Sequence, residues 1–342
     1  HLTGSGARLG AEDLAALRSS GLVHGLGEVM NFPGVLAGDP EVMAKIGAFE
    51  GLVVDGHAPG LGGRDLCAYV AAGIGSDHEC TTRAEAVEKL RLGMVVLIRE
   101  ATGAHNLGEL APLVSAANQG RFCLCTDDRH PGDLLGEGHL DHLVRSCIAA
   151  GMEPVTALRL ATCNPAAHYR LHDRGAIVPG ARADLVVFDD LEAPRPRLVW
   201  SGGRLVARDG RMEGPPVPPA PPGVRDVPVD VPGAMRIDWD RVEMLPPAGS
   251  GKARVIGVVP GQIVTQGIIE DVPTKDGRWC FTPDRDLALA ACIERHRASG
   301  KIGLGLIQGF AFRLHGALGS SVAHDSHNLI VVGTNPSDML VC

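Results

Sequence analysis

The chain has 342 residues and a formal net charge of −8, because 32 Lys and Arg stand against 40 Asp and Glu. This acidic balance argues against a groove for nucleic-acid polymers, because such grooves are lined by clustered Lys and Arg. The sequence also has no run of 18 apolar residues that could span a membrane. With 45 Gly, 24 Pro and 45% apolar residues, the composition favours an α/β protein rich in tight turns over a disordered chain. The length predicts two or three domains.

Short apolar segments alternate with amphipathic helices between residues 20 and 175. The predicted strands are 23–27, 51–55, 72–76, 94–98 and 122–126. The predicted helices include 82–92, with Thr82 as N-cap and Glu85 completing a capping box, and also 139–151 and 154–163. Because strands alternate with helices, parallel pairing and right-handed crossovers are expected.

The pattern changes after residue 175. Residues 176–212 contain two or three short β segments joined by Gly-rich turns, and the proline-dense residues 213–234 predict a semi-rigid connector. A further α/β segment occupies 235–342, in which RVIGVVPGQIVTQG and IGLGLIQGF indicate strands and LALAACIERHRAS, residues 287–299, indicates a helix.

The nine cysteines show no C-x-x-C motif and no regular spacing. We interpret them as reduced thiols of a cytoplasmic protein, mostly filling the core. Cys123 and Cys125 alternate within a strand-like segment, which predicts burial in a strand and not a zinc site, since zinc thiolate pairs usually have at least two residues between them.

Polar residues suited to metal or proton chemistry follow each of the first five predicted strands. The carboxyl ends of parallel strands gather at one face of a barrel, so ligands contributed one or two per strand can meet there. Glu, His and Asp side chains delivered in this way would suit a divalent metal with nitrogen and oxygen ligands. These residues include Glu28, His57, His78, Glu79, Glu100, Asp127 and Asp128.

The segments that carry these residues resemble the adenine deaminase family of the amidohydrolase superfamily. They are GLGEVMNFPGV, DGHAPGLGGRDLCAYVAAGIGSDHECTT, IREATGAHNL and TDDRHPGDLLGEGHLDH. ATCNPAAHYRLHDRGAIVPGARADLVVFDDL resembles the passage from the superfamily's barrel into a small β-sandwich, and GALGSSVAHDSHNLIVVG resembles part of the family's C-terminal domain. The resemblance implies a (β/α)8 TIM barrel represented by about its last five strands (1–175), a β-sandwich segment (176–212), the connector (213–234) and an incomplete C-terminal α/β domain (235–342).

The resemblance also implies roles for single residues. Glu28 would be a carboxylate bridging two metals, with His57, His78 and Asp127 as further ligands. Asp127 would also take the proton from the attacking water. Asp128 is its rival, because adjacent residues of a strand point to opposite sides; a salt bridge to Arg129 is the alternative for Asp128.

Several weaker candidates complete the predicted site. Glu79 is a candidate catalytic residue and Glu100 a candidate substrate contact. Both could contact purine nitrogens, or either could form an ion pair at the barrel rim. Arg99 is expected to be structural. The polar segment AHDSHN, with His324, Asp325 and His327, could line the active site or form a structural network.

The family reaction is metal-dependent hydrolytic deamination of adenine to hypoxanthine and ammonia. The family site holds two ions, for which manganese is expected, with iron and zinc as alternatives, and the resemblance implies a homo-oligomer, in particular a homodimer. The sequence departs from the family in lacking the first-strand H-x-H pair; its close histidine pairs, 139/142 and 324/327, are H-x-x-H. We therefore expect a chain truncated at both ends. The alternatives are an amidohydrolase acting on another cyclic amidine or amide, and a non-catalytic barrel fragment.

Overall fold

The computed structural model describes residues 6–214, 237, 248, 249, 251–281, 283–324 and 326–342. Most of the predicted Pro-rich connector and the candidate Asp325 lie outside the described residues. Two compact units are present, Leu9–Pro218 and Pro219–Cys342 with His1–Arg8. Across the described residues, no helix is both long and apolar enough to cross a bilayer.

The first unit contains ten helices and nine strands among its described residues. The helices are α1 (Ala11–Ser19), α2 (Phe32–Leu36), α3 (Pro40–Gly47), α4 (Gly63–Ala71), α5 (Arg83–Arg91), α6 (Leu107–Leu110), α7 (Pro131–Gly136), α8 (Leu140–Ala149), α9 (Pro154–Ala161) and α10 (Cys163–His168). The strands are β1 (Gly25–Val29), β2 (Val53–Gly56), β3 (Ser76–Asp77), β4 (Val95–Arg99), β5 (Phe122–Cys125), β6 (Leu185–Phe188), β7 (Pro196–Ser201), β8 (Arg204–Arg208) and β9 (Arg211–Met212).

Strands β1 to β5 are parallel, as predicted, in two hydrogen-bonded groups, β1–β2 and β3–β4–β5. The N–H of Gly75 donates to the carbonyl of Val54 at 3.0 Å, so β2 also meets the entry to β3. Val96 and Ile98 of β4 are completely buried, together with Phe122 of β5, and they pack against α8 and α9. Burial on both faces is typical of a parallel sheet covered by helices.

Two local predictions for this unit were wrong in detail. The third strand was expected over 72–76, but α4 extends to Ala71 and turns at Gly73, whose φ of +100° favours glycine, so β3 covers only Ser76–Asp77. Thr82 does cap α5, accepting from the Glu85 N–H at 3.3 Å, whereas the Glu85 carboxylate accepts from the N–H of Thr81 at 3.1 Å and not from that of Thr82. The other strands and helices predicted between residues 20 and 175 are confirmed to within two residues. Residues 176–212, expected to hold two or three short β segments, contain four strands, β6 to β9, which form one antiparallel sheet.

The second unit is built on a six-stranded sheet of order β11-β10-β15-β14-β17-β16. Its strands are β10 (Lys252–Val258), β11 (Thr265–Asp271), β12 (Thr274–Lys275), β13 (Arg278–Trp279), β14 (Leu287–Ile293), β15 (Ile302–Gln308), β16 (Ala317–Ser320) and β17 (Leu329–Gly333), and helix α11 is Pro336–Val341.

The helix predicted over 287–299 was wrong, because its apolar part forms the central strand β14. Leu287 and Ile293 are completely buried, and β14 is hydrogen-bonded to β15 on one side and β17 on the other. Leu and Ala are good helix formers, but pairing on both edges and burial outweigh this intrinsic preference. All nine cysteines of the chain are free, and Cys123 lies buried in β5. The expectation that most cysteines fill the core was wrong, because only Cys80, Cys123 and Cys147 are buried.

Candidate metal centre

Three side chains from the carboxyl ends of β1, β2 and β3 converge on one point. Oε2 of Glu28 lies 2.8 Å from Nδ1 of His57 and 3.0 Å from Nε2 of His78. The two imidazole rings meet edge to face, with centroids 5.3 Å apart. Both histidine side chains are largely buried, whereas Glu28 is 42% exposed, so the group opens to solvent on the carboxylate side.

The turn that carries His57 is fixed by close packing against its neighbours. The hydroxyl of Tyr69 in α4 accepts the His57 N–H at 3.0 Å and donates to the Val29 carbonyl at 2.7 Å, so that one phenol ties this turn to β1. A Cβ on Gly56 would stand 2.3 Å from the carbonyl oxygen of Ser76. Only glycine therefore permits β2 and β3 to approach closely enough for the two histidines to meet.

A second cluster adjoins the first through Glu79. Oε1 of Glu79 lies 3.6 Å from His57 Nδ1 and 3.3 Å from His78 Nε2, and it forms an ion pair with Nη1 of Arg99. The same Nη1 donates to Oδ2 of Asp127 at 3.0 Å. Arg99 is completely buried and also donates to the side-chain Oδ1 of Asn106 at 3.1 and 3.3 Å, so its guanidinium is held in a single position between the two carboxylates.

Mutual contacts shift the proton affinities of these groups. Hydrogen bonds from His57 and His78 hold the pKa of the Glu28 carboxyl well below its usual range. Burial opposes the charged form of His78, but the hydrogen bond and charge of Glu28 outweigh it and raise the pKa of His78. Burial raises the pKa of Glu79 despite the opposing charge of Arg99.

A cavity of about 230 Å³ opens beside the centre. Glu28, His78 and Asp127 line one side of it, while Asp55 and Tyr169 line another. The Asp55 carboxylate accepts the Tyr169 hydroxyl at 2.9 Å and lies 3.0 Å from Nε2 of His168. The sequence does not reveal this group, because Asp55 lies in the DGH segment and no spacing signal connects it with His168 and Tyr169, more than 110 positions away.

The other sequence-predicted residues of the first unit lie around the rim. Glu100 contacts Nδ1 of His105 at 2.7 Å and accepts the Leu107 N–H at 3.1 Å, so its carboxylate holds the start of α6. Asp128 is exposed, and its carbonyl accepts the Thr102 N–H. The guanidinium of Arg129, the expected alternative partner of Asp128, forms an ion pair with Glu137.

The histidines of the AHDSHN segment belong to the second unit. The rings of His324 and His327 meet edge to face with centroids 4.9 Å apart. The carbonyl of His327 accepts a hydrogen bond from Arg295, and its N–H donates to the Ala323 carbonyl at 2.7 Å. These contacts within the unit order the loop before β17.

The donor set of the first cluster fits a divalent cation. Ligand atoms of Glu28, His57 and His78 lie within 4.8 Å of one another, and so do those of His78, Glu79 and Asp127. Two imidazole nitrogens that face the same carboxylate oxygen form a place where a metal ion can replace the protons between them. Oε2 of Glu79 is buried without a hydrogen-bond partner among the described residues, which leaves a further oxygen available beside the cluster.

Comparisons with known proteins identify the family of the chain. Two family models match, one described as the adenine deaminase C-terminal domain over residues 262–342 and one described as the amidohydrolase family over residues 25–206. A protein from Desulfatibacillum aliphaticivorans named adenine deaminase is 48% identical over 341 residues, which cover 99% of this chain and 58% of that protein. A protein from Methanothrix thermoacetophila, also named adenine deaminase, is 44% identical over 343 residues, which cover 99% of this chain and 59% of that protein.

The chain thus spans somewhat more than half the length of the curated relatives it matches. Among solved structures, a β-aspartyl dipeptidase from Fervidobacterium islandicum is 17% identical with a TM-score of 0.43, covering 60% of this chain and 62% of that one, a likeness too low to carry an argument. The amidohydrolase model, in contrast, matches just over half of the chain and includes every residue of the converging cluster. The chain belongs to the amidohydrolase family.

Proposed function

We propose that this protein is an adenine deaminase, which hydrolyses adenine to hypoxanthine and ammonia and so serves purine salvage. The observation that carries the proposal is a pair of adjoining clusters at the ends of parallel strands. Glu28, His57 and His78 converge in one, and His78 also belongs to the other, with Glu79 and Asp127. Relatives 42–48% identical over nearly the whole chain are named adenine deaminase, which supports adenine as the substrate. Homodimeric assembly and a cytoplasmic location belong to the same proposal.

Glu28, His57, His78 and Asp127 would hold the metal. Their mixed nitrogen and oxygen donors suit manganese, iron or zinc, and we propose manganese. When bound, a divalent ion lowers the pKa of water toward ~7, so that hydroxide is available at neutral pH. The complete family site holds two ions. The four residues named here are the ligands that this chain would contribute to such a site.

Two carboxyl groups would move the protons of the reaction. Asp127 takes a proton from the attacking water and returns it to the leaving amine, while Arg99 holds its carboxylate in place at 3.0 Å. Glu79 has a raised pKa, and its Oε2 is buried with no hydrogen-bond partner in the described part of the chain, so its protonated form could donate to a purine ring nitrogen. Glu100, Asp128, His324, Asp325 and His327 remain candidate substrate contacts.

The fold assignment forms part of the proposal. We assign β1 to β5 to the last five strands of a (β/α)8 barrel, residues 176–212 to the superfamily's β-sandwich and residues 235–342 to the adenine deaminase C-terminal domain. The parallel pairing of β1 to β5 and the match of the C-terminal domain model over 262–342 support this division.

The test is release of ammonia from adenine by protein reconstituted with Mn²⁺, together with analysis of its metal content. Deamination that depends on the bound metal is the expected result. Bound metal with hydrolysis of another cyclic amidine or amide, but not of adenine, would contradict the substrate assignment and favour a related amidohydrolase. Absence of both metal and turnover would favour a non-catalytic remnant.

A further inference from the structure

Lys89 of α5 is a completely buried cation at the edge of the candidate metal centre. Its Nζ donates to the Ala58 carbonyl at 2.8 Å, to Oδ2 of Asp77 at 2.9 Å and to Oε1 of Glu85 at 2.7 Å. These contacts use all three hydrogens of the ammonium group. Burial disfavours the charge, but Asp77 outweighs it and raises the pKa of Lys89, so the side chain stays protonated.

The partner of Lys89 joins the two turns that bear the histidines. Oδ1 of Asp77 accepts the N–H of Ala58 at 2.7 Å, and Oδ2 accepts the N–H of Glu79 at 2.9 Å. Ala58 directly follows His57, and Asp77 and Glu79 flank His78. A single carboxylate therefore binds the backbone on the carboxyl side of both imidazoles, and Lys89 binds that carboxylate and the Ala58 carbonyl.

The cluster around Lys89 is not itself a metal site. Asp77, Cys80 and Glu85 bring ligand atoms within 4.8 Å of one another, but the Lys89 ammonium already bonds both carboxylates. Glu85 extends the same network outward, since Oε1 accepts the Gly60 N–H at 2.8 Å and Oε2 accepts the Thr81 N–H at 3.1 Å. Lys89 and Glu85 of α5 thus form hydrogen bonds to both turns that carry the histidines.

We propose that Lys89 is a positioning residue for the candidate metal centre, which through Asp77 fixes His57 and His78 at the spacing that a bound cation needs. The inference rests on the proposed metal-binding function and deepens it. Lys89 contributes no ligand atom; it acts on the backbone to which the ligands are attached. Partners outside the ligand set commonly change metal affinity by about 10–100-fold when they are replaced, because they set the orientation of the ligands.

The first test compares Lys89→Met with Lys45→Met, the same substitution at a partly exposed ion pair with Glu41. The Mn²⁺ dissociation constant is measured by competition with a chelator, under conditions where circular dichroism shows each variant folded. We expect a rise of about 10–100-fold for Lys89→Met and none for Lys45→Met. A folded Lys89→Met variant that binds Mn²⁺ within threefold of the wild type would overturn the inference.

A second variant covers the case in which the single substitution prevents folding. Removal of one partner of a buried ion pair strongly destabilises a protein, whereas exchange of both for apolar residues of similar volume is often tolerated. The double variant Asp77→Leu with Lys89→Met should therefore fold and still bind Mn²⁺ at least tenfold more weakly. Retained affinity in the folded double variant would also refute the positioning role.

Hydrogen exchange on the unmodified chain provides a test that requires no variant. In metal-free protein, the amides of Ala58 and Glu79 should exchange slowly, because Asp77 already holds them. Exchange at the rate of an unstructured peptide would show that the turns are not fixed and would overturn the inference. Failure of the wild type to bind Mn²⁺ would instead count against the proposed function. The exchange rates of the Ala58 and Glu79 amides would still show whether Asp77, bound by Lys89, fixes the two turns.

Discussion

Backbone conformation at Asp127 explains which of two neighbouring aspartates faces the site. Asp127 has a φ of 50°, in the left-handed region that Asp tolerates better than most residues. In this conformation its Oδ2 lies 3.0 Å from Arg99 Nη1 and close to His78 and Glu79. The resemblance already favoured Asp127 over Asp128, but the sequence could not assign a φ value. The position of the Asp127 carboxylate supports Asp127 as the proposed proton acceptor.

Replacement of Asp127 by Ala tests this role. The variant lacks the group that would accept the proton of water, so kcat for adenine should fall by about 10²–10⁴-fold. Circular dichroism should stay unchanged, because Asp127 is partly exposed and follows the end of β5. The measurement is ammonia release at saturating adenine.

Two further variants make the result specific. Asp189→Ala removes an exposed carboxylate of the loop between β6 and β7, which pairs with Arg197 of β7. This variant should retain wild-type kcat. Asp128→Ala should lose less activity than Asp127→Ala. Full activity in Asp127→Ala, or a larger loss in Asp128→Ala, would show that the proton acceptor has been assigned to the wrong residue.

At the scale of elements, the sequence predicted those strands whose apolar run is bounded by turns and polar ligands. β1, β2, β4 and β5 lie within two residues of their predicted positions, and the candidate ligands Glu28, His57 and Asp127 stand at the carboxyl ends of β1, β2 and β5. β14 could not be predicted in the same way, because Leu and Ala do not distinguish a buried strand from a helix. Its neighbours in the sheet, β15 and β17, decide its conformation, and no local pattern encodes that pairing.

The turn after β14 leads to a prediction about pH. Glu294 accepts hydrogen bonds from the N–H groups of His296 and Arg297 and from the N–H and hydroxyl of Ser299. Burial opposes the charged form, but the four hydrogen bonds together outweigh it and lower the pKa of Glu294 from 4.5 to about 2. A carboxyl whose pKa is lower in the folded than in the unfolded state stabilises the fold fully above its unfolded pKa, and that contribution disappears as the pH falls toward 2.

Glu294→Gln should therefore lower the urea midpoint of the second unit at pH 6 and flatten its decline between pH 4.5 and pH 2. Glutamine cannot accept all four hydrogen bonds and does not titrate. Glu12→Gln, an exposed position in α1, should keep the wild-type pH dependence. An unchanged pH slope in Glu294→Gln would show that the turn does not hold this carboxylate in its charged form.

At the scale of the whole molecule, an acidic chain gathers its ligand groups at one edge of a parallel sheet. Glu28, His57 and His78 are separated by 29 and 21 positions in the sequence and meet only when β1, β2 and β3 are side by side. The unfolded chain offers no such cluster, so a divalent cation should bind the folded state far more tightly. Metal binding must then contribute to folding stability by mass action.

The expected stabilisation by the metal follows from the ratio of the free metal concentration to the dissociation constant. At a free Mn²⁺ concentration of 100 times the dissociation constant, the free energy of unfolding of the first unit should rise by about 2.7 kcal/mol, and a chelator should abolish the gain. Glu28→Gln should remove most of the gain, because the amide no longer supplies the charged oxygen that both histidines face. Glu41→Gln, at the exposed pair with Lys45, should retain the full gain. Equal stabilisation of the wild type and Glu28→Gln would place the bound ion elsewhere on the molecule, and no stabilisation of either would contradict a metal centre at these strand ends.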